Sequence, residues 1–512
     1  MKRNLLPLLL VLIAASVSGC AVNPVTGDRQ FMTMSPSDDL KIGAESYAPM
    51  LQAQGGAYDV DPALIEYVRS VGMKLAAVSD VELPYEFTVL NSSVPNAWAL
   101  PGGKIAINRG LLTEIDSEAE LAAVLGHEIV HAAARHSAQQ MSRGQLLQGL
   151  VVATSVVVGD SGYGDLAVGG AGVAAQLLST KYGREAELES DKYGMRYMGR
   201  AGYDPQGAVS LQETFVRLSE GHDQDWISGL FASHPPSQER VKENRERASK
   251  MAEGGVLGTD EYRAALQQTL EVKPAYDAYD QGREALAKES NDEALALAND
   301  ALKLYPAEAN FHALRGDVRF MNKQYDMAVT NYDRAISRRD DFFYYYLQRG
   351  ITRKEQRKVD AAMTDLEHSL ELLPTAPAHY NIGLIKKERG QIDAAKEHFQ
   401  IVASSGGEYG KAAGGEIARM EMPSQPAKYV LRSCDKGSNG NLMISVRNEA
   451  AIAIAGVEVQ VDYSDNYGNT RREIISVGDR IEAGQVAQAD SGIRVYEGTT
   501  CAAEVIAARV AD

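Results

Sequence analysis

The alternation of apolar and polar positions changes character twice along the chain, and each change marks a different architecture. Up to about residue 270 the pattern is mainly helical. One helix is expected after Ser37 and another after Asp61-Pro62, where Asp caps the helix and Pro takes its first position. Ser117 and Glu120 have the spacing of a capping box, and Leu121-Ala122-Ala123-Val124-Leu125 runs on without a proline. Residues 183–197 read as a helix with an acidic face, and Asp204-Pro205 opens another. Pro235 and Pro236 fix an extended turn before a charged helix. Residues 85–90 alternate and are expected as a strand, as does Lys104-Ile105-Ala106-Ile107-Asn108 after the Pro101-Gly102-Gly103 turn. Residues 145–177 are apolar and glycine-rich. Asp160 and Asp165 interrupt them, which argues against a membrane span. Buried core is favoured there over a helical hairpin, a lid or a membrane-facing element.

From 276 to 410 the helical pattern becomes periodic. Gly282, Gly316, Gly350 and Gly383 recur at steps of 34, 34 and 33, and Ala294, Ala328, Ala362 and Ala395 keep the same steps. Tyr332, Leu366 and Phe399 each stand four residues after one of these alanines. About four such units resemble the tetratricopeptide repeat, a helical solenoid with small residues where paired helices cross. Stacked units leave a concave surface on which protein partners or peptides bind. Phe342-Phe343-Tyr344-Tyr345-Tyr346 is expected as packing between repeats rather than as a docking site.

Beyond the linker Pro423-Ser424-Gln425-Pro426 the period becomes that of strands, at 429–432, 442–446, 457–463, 474–477, 493–495 and 502–508. Asn439-Gly440 and Tyr467-Gly468-Asn469 supply turns. A small all-β, sandwich-like domain over 427–512 follows.

The candidate chemistry lies in the first part. Gly126-His127-Glu128-Ile129-Val130-His131 contains H-E-x-x-H. On a helix, residues four apart share a face, so His127 and His131 can address one metal ion while Glu128 reaches a water beside it. A third ligand is expected from the acidic run Glu185-Ala186-Glu187-Leu188-Glu189-Ser190-Asp191. Glu187 and Asp191 share a face, but spacing alone does not choose among Glu185, Glu187 and Glu189.

These stretches, with Asn96-Ala97-Trp98-Ala99-Leu100-Pro101-Gly102-Gly103 before them and Ser233-His234-Pro235-Pro236 after, stand in the order seen in one family. Over roughly residues 23–270 the chain resembles metallopeptidase family forty-eight, the gluzincins that include HtpX-type and CAAX-prenyl-protease enzymes. Ser190 stands where that family usually has Ala. The resemblance implies a mainly α zincin-type (α+β) metalloprotease domain over 37–270. It implies one Zn2+ per chain held by His127, His131 and Glu187, with Asp191 orienting a ligand histidine. It makes Glu128 the general base and places His234 near the metal, where a histidine can act as a switch that fills the open position, as a transition-state donor, or as a structural residue of the turn. Lys104, Ile105, Ala106, Ile107 and Asn108 fit either a plain core hairpin or an edge strand that pairs with an extended polypeptide substrate, and the resemblance favours the edge.

Composition narrows the setting. A formal net charge of −17 argues against a nucleic-acid partner and against broad binding to anionic lipid. Lys2-Arg3, an apolar run too short to span a bilayer, and Val17-Ser18-Gly19-Cys20 resemble a bacterial lipoprotein signal over 1–19. Cys20 would then carry the lipid on a tether of residues 20–36. Ala21 and Val22 suggest the outer membrane by analogy with lipoprotein sorting. The remaining Cys434 and Cys501 are an even pair for an oxidising compartment and are expected as a disulfide. The resulting expectation is a multi-domain, lipid-anchored periplasmic zinc endopeptidase. Family members of this periplasmic, repeat-bearing type imply quality control of outer-membrane proteins. The alternative is a chaperone or assembly scaffold that works through its repeats, with an inert protease domain.

Overall fold

The computed structural model describes residues 20–148, 182–221, 234–252, 254–465, 467–496 and 499–511. The expected signal segment lies outside the described residues, as does the glycine-rich stretch from 149 onward. The chain forms two compact units that divide between Pro374 and Thr375.

The first unit begins with two short antiparallel strands, β1 (Cys20–Val22) and β2 (Arg29–Phe31). The expected tether is thus partly a hairpin. Asn23 holds its turn by accepting the N–H groups of Val25 and Thr26, and its own amide donates to Glu189 at 2.8 Å. Helix α1 (Pro36–Ala53) is capped by Ser35, two residues before the expected cap, because Ser35 and Asp38 exchange a full capping box. Helix α2 (Pro62–Ala76) starts as anticipated, with Asp61 accepting the N–H of Leu64.

Three strands follow: β3 (Glu86–Leu90), β4 (Ala97–Leu100) and β5 (Lys104–Asn108). Their order is β3-β5-β4, with β5 parallel to β3 and antiparallel to β4. Lys104–Asn108 is therefore the middle strand, which corrects its assignment as an edge. The physical reason is burial on both faces. Ile105 and Ile107 face one apolar core, Ala106 faces another with Tyr47 and Trp98, and none of the three is more than 1% exposed. The outer strand on this side is β4. Because Asn108 N–H bonds Asn96 C=O, the pairing parity turns the backbone groups of Ala97 and Ala99 away from β5.

After the single turn α3 (Arg109–Leu112) come α4 (Glu118–Ala133), α5 (His136–Gln148), α6 (Arg184–Arg200), α7 (Gln206–Gly221) and α8 (Gln238–Ala248). Helix α9 (Thr259–Ala287) then runs unbroken across the expected boundary at 270–276 into the first repeat. Its partner is α10 (Asn291–Leu304). The helix pairs α11 (Ala309–Met321) with α12 (Tyr325–Arg338) and α13 (Phe343–Glu355) with α14 (Val359–Leu372) form the next two repeats. The periodic glycines have a direct cause: a Cβ at Gly316 would lie 2.6 Å from the Tyr332 ring. Phe342, Phe343 and Tyr345 are fully buried, as inter-repeat packing requires. Tyr276 and Phe311 of the repeats join the same core as α2 and α4, and the Arg109 guanidinium lies 3.6 Å over the Tyr276 ring.

The second unit contains α15 (Ala376–Glu388), α16 (Ile392–Ala403), α17 (Gly407–Glu421) and six strands: β6 (Val430–Lys436), β7 (Asn441–Asn448), β8 (Ile454–Ser464), β9 (Thr470–Ser476), β10 (Val486–Arg494) and β11 (Cys501–Val510). They form two antiparallel sheets, β10-β7-β6 and β11-β8-β9. Alternate residues Leu442, Ile444 and Val446 of one sheet and Val457, Val459 and Val461 of the other build a common core. Cys434 and Cys501 are disulfide-bonded and join β6 of one sheet to β11 of the other. Among the described residues, no helix is long and apolar enough to cross a membrane.

Candidate active site

Helix α4 carries the histidine pair, and every residue from Ala119 to Ala133 on it is buried. Ser117 caps it by accepting the N–H of Glu120 at 3.2 Å. The expected capping box is only half made, since the Glu120 carboxylate takes the N–H of Asp116 instead. Helix α6 crosses α4 where Gly126 meets Gly194. A Cβ on Gly194 would lie 3.0 Å from the backbone nitrogen of His127, so glycine on both helices permits the close approach that brings α6 carboxylates to α4 histidines.

At this crossing Nε2 of His127 and Nε2 of His131 are 3.0 Å apart. Glu187 Oε2 is 3.5 Å from the first, and Glu187 Oε1 is 3.4 Å from the second. His234 completes the group, with Nδ1 at 3.0 Å from Glu187 Oε1 and 3.3 Å from His127 Nε2. One ligand atom from each of these four buried residues lies within 4.8 Å of all the others. The separations are close to the ~3.3 Å edge of a tetrahedron with ~2.0 Å metal–ligand bonds, so the donor set fits a small cation. Glu187 is therefore the central member of the acidic run. Glu185 is exposed, and Glu189 faces a different histidine.

The surroundings orient these donors. His127 Nδ1 meets Asp191 Oδ1 at 3.0 Å, which leaves Nε2 to the centre. His131 Nδ1 meets His136 Nδ1 at 3.0 Å, and His136 Nε2 meets Glu189 Oε1 at 3.3 Å. With Nδ1–H on His131 and Nε2–H on His136, this chain likewise frees His131 Nε2. Tyr182 stacks on the His131 ring with 3.9 Å between centroids. Arg240 forks onto Asp191 through Nε and Nη2, both at 2.7 Å, and its Nη1 is 2.9 Å from Glu187 Oε2. Ser237 starts α8 by accepting the N–H of Arg240, so the turn after His234 also places this guanidinium.

Electrostatics agree with a cation. Burial opposes charge on His127, but the Glu187 and Asp191 carboxylates outweigh it and push His127 up to about 9. Burial likewise opposes charge on Asp191, yet Arg240 and His127 hold it down to about 2. Glu128 is raised by its burial, and among the described residues its Oε2 has no hydrogen-bond partner. Its Oε1 is 3.6 Å from His234 Nε2, which also makes no hydrogen bond among the described residues.

Sequence reading brought His127, Glu128, His131, Glu187, Asp191 and His234 together, and the structure places all six in one cluster. It missed Arg240, His136 and Asn23, and weighed Glu189 only as a metal ligand, whereas Glu189 meets His136 and Asn23. Arg240 sits in a helix that reads as a solvated charge run, yet its side chain is 4% exposed. The expected substrate strand is not at the sheet edge, and Ala97–Leu100 takes that place. The side chain of Cys20 lies outside the described residues.

Residues 62–248 match the family described as Peptidase family M48, and residues 376–400 match the Tetratricopeptide repeat. Among curated proteins, Beta-barrel assembly-enhancing protease of Escherichia coli is 28% identical over 281 residues, covering 53% of this chain and 55% of that protein. Mitochondrial metalloendopeptidase OMA1 of Schizosaccharomyces pombe is 30% identical over 231 residues, covering 44% of this chain and 65% of that protein. Metalloprotease YcaL of Escherichia coli is 27% identical over 266 residues, covering 48% of this chain and 98% of that protein. The chain spans about half the length of the first curated relatives it matches.

Proposed function

Since residues 62–248 belong to peptidase family M48, we propose that the protein is a zinc endopeptidase whose ion is held by His127, His131 and Glu187. The convergence of these donors beside the buried Glu128 carboxylate, whose Oε2 accepts no hydrogen bond among the described residues, carries the reading. Zinc bound there supplies Lewis acidity that polarises a peptide carbonyl and eases deprotonation of a water. Glu128 accepts the water's proton as its oxygen attacks the carbonyl carbon, then delivers that proton to the departing amine nitrogen. Its raised affinity for protons, from burial, suits both halves of that task. Asp191 and Arg240 keep His127 in the required tautomer. An extended substrate pairs with the outward backbone groups of Ala97 and Ala99 on β4.

His234 occupies the fourth side of the donor set at 3% exposure. In this reading it acts as a latch, filling the position that a reacting water needs until a partner or substrate displaces it. The full set of donors, with Glu128 in place, counts against a purely scaffolding protein.

The name of the Escherichia coli relative, Beta-barrel assembly-enhancing protease, and the lipoprotein-like start of the chain support a biological setting. That setting is the bacterial periplasm, with anchoring to the outer membrane through Cys20 and quality control of outer-membrane proteins as the task. The repeats would engage protein partners on their concave face. The test of the metal reading is stoichiometry by atomic emission. One zinc per chain is expected for the native protein, and a large loss in His127→Ala and in Glu187→Ala. Full zinc retention by both variants would reject the site.

A further inference from the structure

The second repeat contains an arginine cluster that the peptidase reading does not use. Arg315 and Arg319 stand four apart on α11, and Arg334 and Arg338 stand four apart on α12. Three of them, Arg315, Arg319 and Arg334, line a groove of ≈ 370 Å³ together with Asn299, Asn331, Thr330, Met327 and one carboxylate, Asp326. Among the described residues, none of the four makes an ion pair with a carboxylate. Their hydrogen bonds go to neutral oxygens: Arg315 Nε donates to Asn331 Oδ1 at 2.7 Å and Nη1 to Asn299 Oδ1 at 3.3 Å. Arg319 donates to Gln324 Oε1, and Arg338 to the carbonyls of Pro306 and Arg334. The lining carboxylate, Asp326, is held instead by Gln356 Nε2 at 2.8 Å and Lys358 Nζ at 4.0 Å.

The next repeat shows what neutralisation looks like at the same positions. One period of 34 residues carries Arg315 to Arg349, Arg319 to Arg353, Asn299 to Asp333 and Asn331 to Asp365. There Arg349 forks onto Asp365 at 2.7 and 3.0 Å and reaches Asp333 at 2.7 Å, while Arg353 reaches Asp365 at 2.7 Å. The arginines of α11 thus face amides on α10 and α12, where the equivalent arginines of α13 face carboxylates on α12 and α14. Among the described residues, no carboxylate pairs with the guanidinium groups of α11 and α12. Consistently, burial and the neighbouring arginines lower Arg315, and burial together with Arg338, Arg315 and Arg334 pushes His312 down to about 4.

We propose that this groove binds an acidic segment of a polypeptide, with the guanidinium groups of Arg315, Arg319, Arg334 and Arg338 taking its carboxylates. Planar guanidinium forks match carboxylates in geometry as well as charge. Met327, 54% exposed beside them, offers an apolar contact to a flanking side chain. The arginines line a groove in a chain of net charge −17, which favours a narrow peptide over an anionic membrane surface. The proposal goes beyond the peptidase reading and needs no catalytic step.

The test uses the full-length protein with a metal chelator present, so that no cleavage intervenes. The probe is a fluorescein-labelled octapeptide of alternating glutamate and leucine, and its glutamine counterpart is the control. Fluorescence anisotropy is expected to show the glutamate peptide bound at least about tenfold more tightly, with the difference shrinking as salt is added. Asn299→Asp combined with Asn331→Asp copies the ion pairing of the third repeat and is expected to abolish the preference with an unchanged thermal melt. If that variant melts early, Arg334→Gln with Arg338→Gln, on the more exposed helix, takes its place. Equal binding of the two peptides, or a preference that survives the substitutions, would overturn the proposal. Substitution-sensitive binding to phosphatidylglycerol vesicles without peptide binding would also overturn it, and would assign the groove to a lipid headgroup.

Discussion

Arg240 and Asp191 are joined by two parallel hydrogen bonds of 2.7 Å, and through this pair α8 fixes the orientation of His127. Arg240→Ala leaves two buried carboxylates, Asp191 and Glu187, without their guanidinium. Zinc affinity should fall by roughly 10- to 100-fold, as for other partners behind a metal ligand. Arg240→Lys should fall between, because an ammonium cannot fork onto a carboxylate. Titration against a competing chelator reads both values. Native affinity in Arg240→Ala would mean that the pair serves only to hold α8 in place.

His234→Ala should raise basal cleavage of an unfolded protein, and self-cleavage, while zinc stays bound. The reason is that its ring fills the fourth side of the donor set in the structure. Lower activity would instead make it a hydrogen-bond donor to the tetrahedral intermediate. Unchanged activity would make it a structural residue of the turn. Either result rejects the latch.

Glu421, at the end of α17, accepts hydrogen bonds from Lys396, Lys428 and Tyr429. Burial works to raise it, but these partners hold it down to about 2. A depressed carboxyl contributes stability that is complete above its unfolded value of about 4.3 and is lost as pH falls through about 2. Glu421→Gln should therefore destabilise the second unit by roughly 1–3 kcal/mol at pH 7 and by much less at pH 2. Denaturant unfolding at the two pH values measures it. An equal loss at both would show that shape, not charge, is what the glutamine changes.

What could be read from the sequence was local. His127 and His131 declare themselves because four residues on a helix is one face, and Asp61-Pro62 because a cap is written in adjacent residues. Glu187 and Asp191 needed a family resemblance, since three acids in one run look alike until the Gly126–Gly194 crossing selects one face of α6. Arg240 and His136 were not legible, because their partners lie 49 and 53 residues away and meet them only through helix packing. Lys104–Asn108 misled because Lys, Ile, Ala, Ile and Asn alternate like a half-exposed strand. Ala106 is small, not polar, and packs against a second apolar layer. The change from Asp333 and Asp365 to Asn299 and Asn331 was present in the repeat period. Its meaning appears only where the arginines are seen to face those positions.

The central claim is that Glu128 moves the proton during peptide cleavage, and Glu128→Gln tests it most directly. Glutamine keeps the shape of the buried side chain and cannot shuttle a proton. The purified variant should bind zinc in the native ratio, melt at the native temperature and fail to cleave an unfolded protein substrate. Undiminished cleavage by zinc-loaded Glu128→Gln would contradict the account.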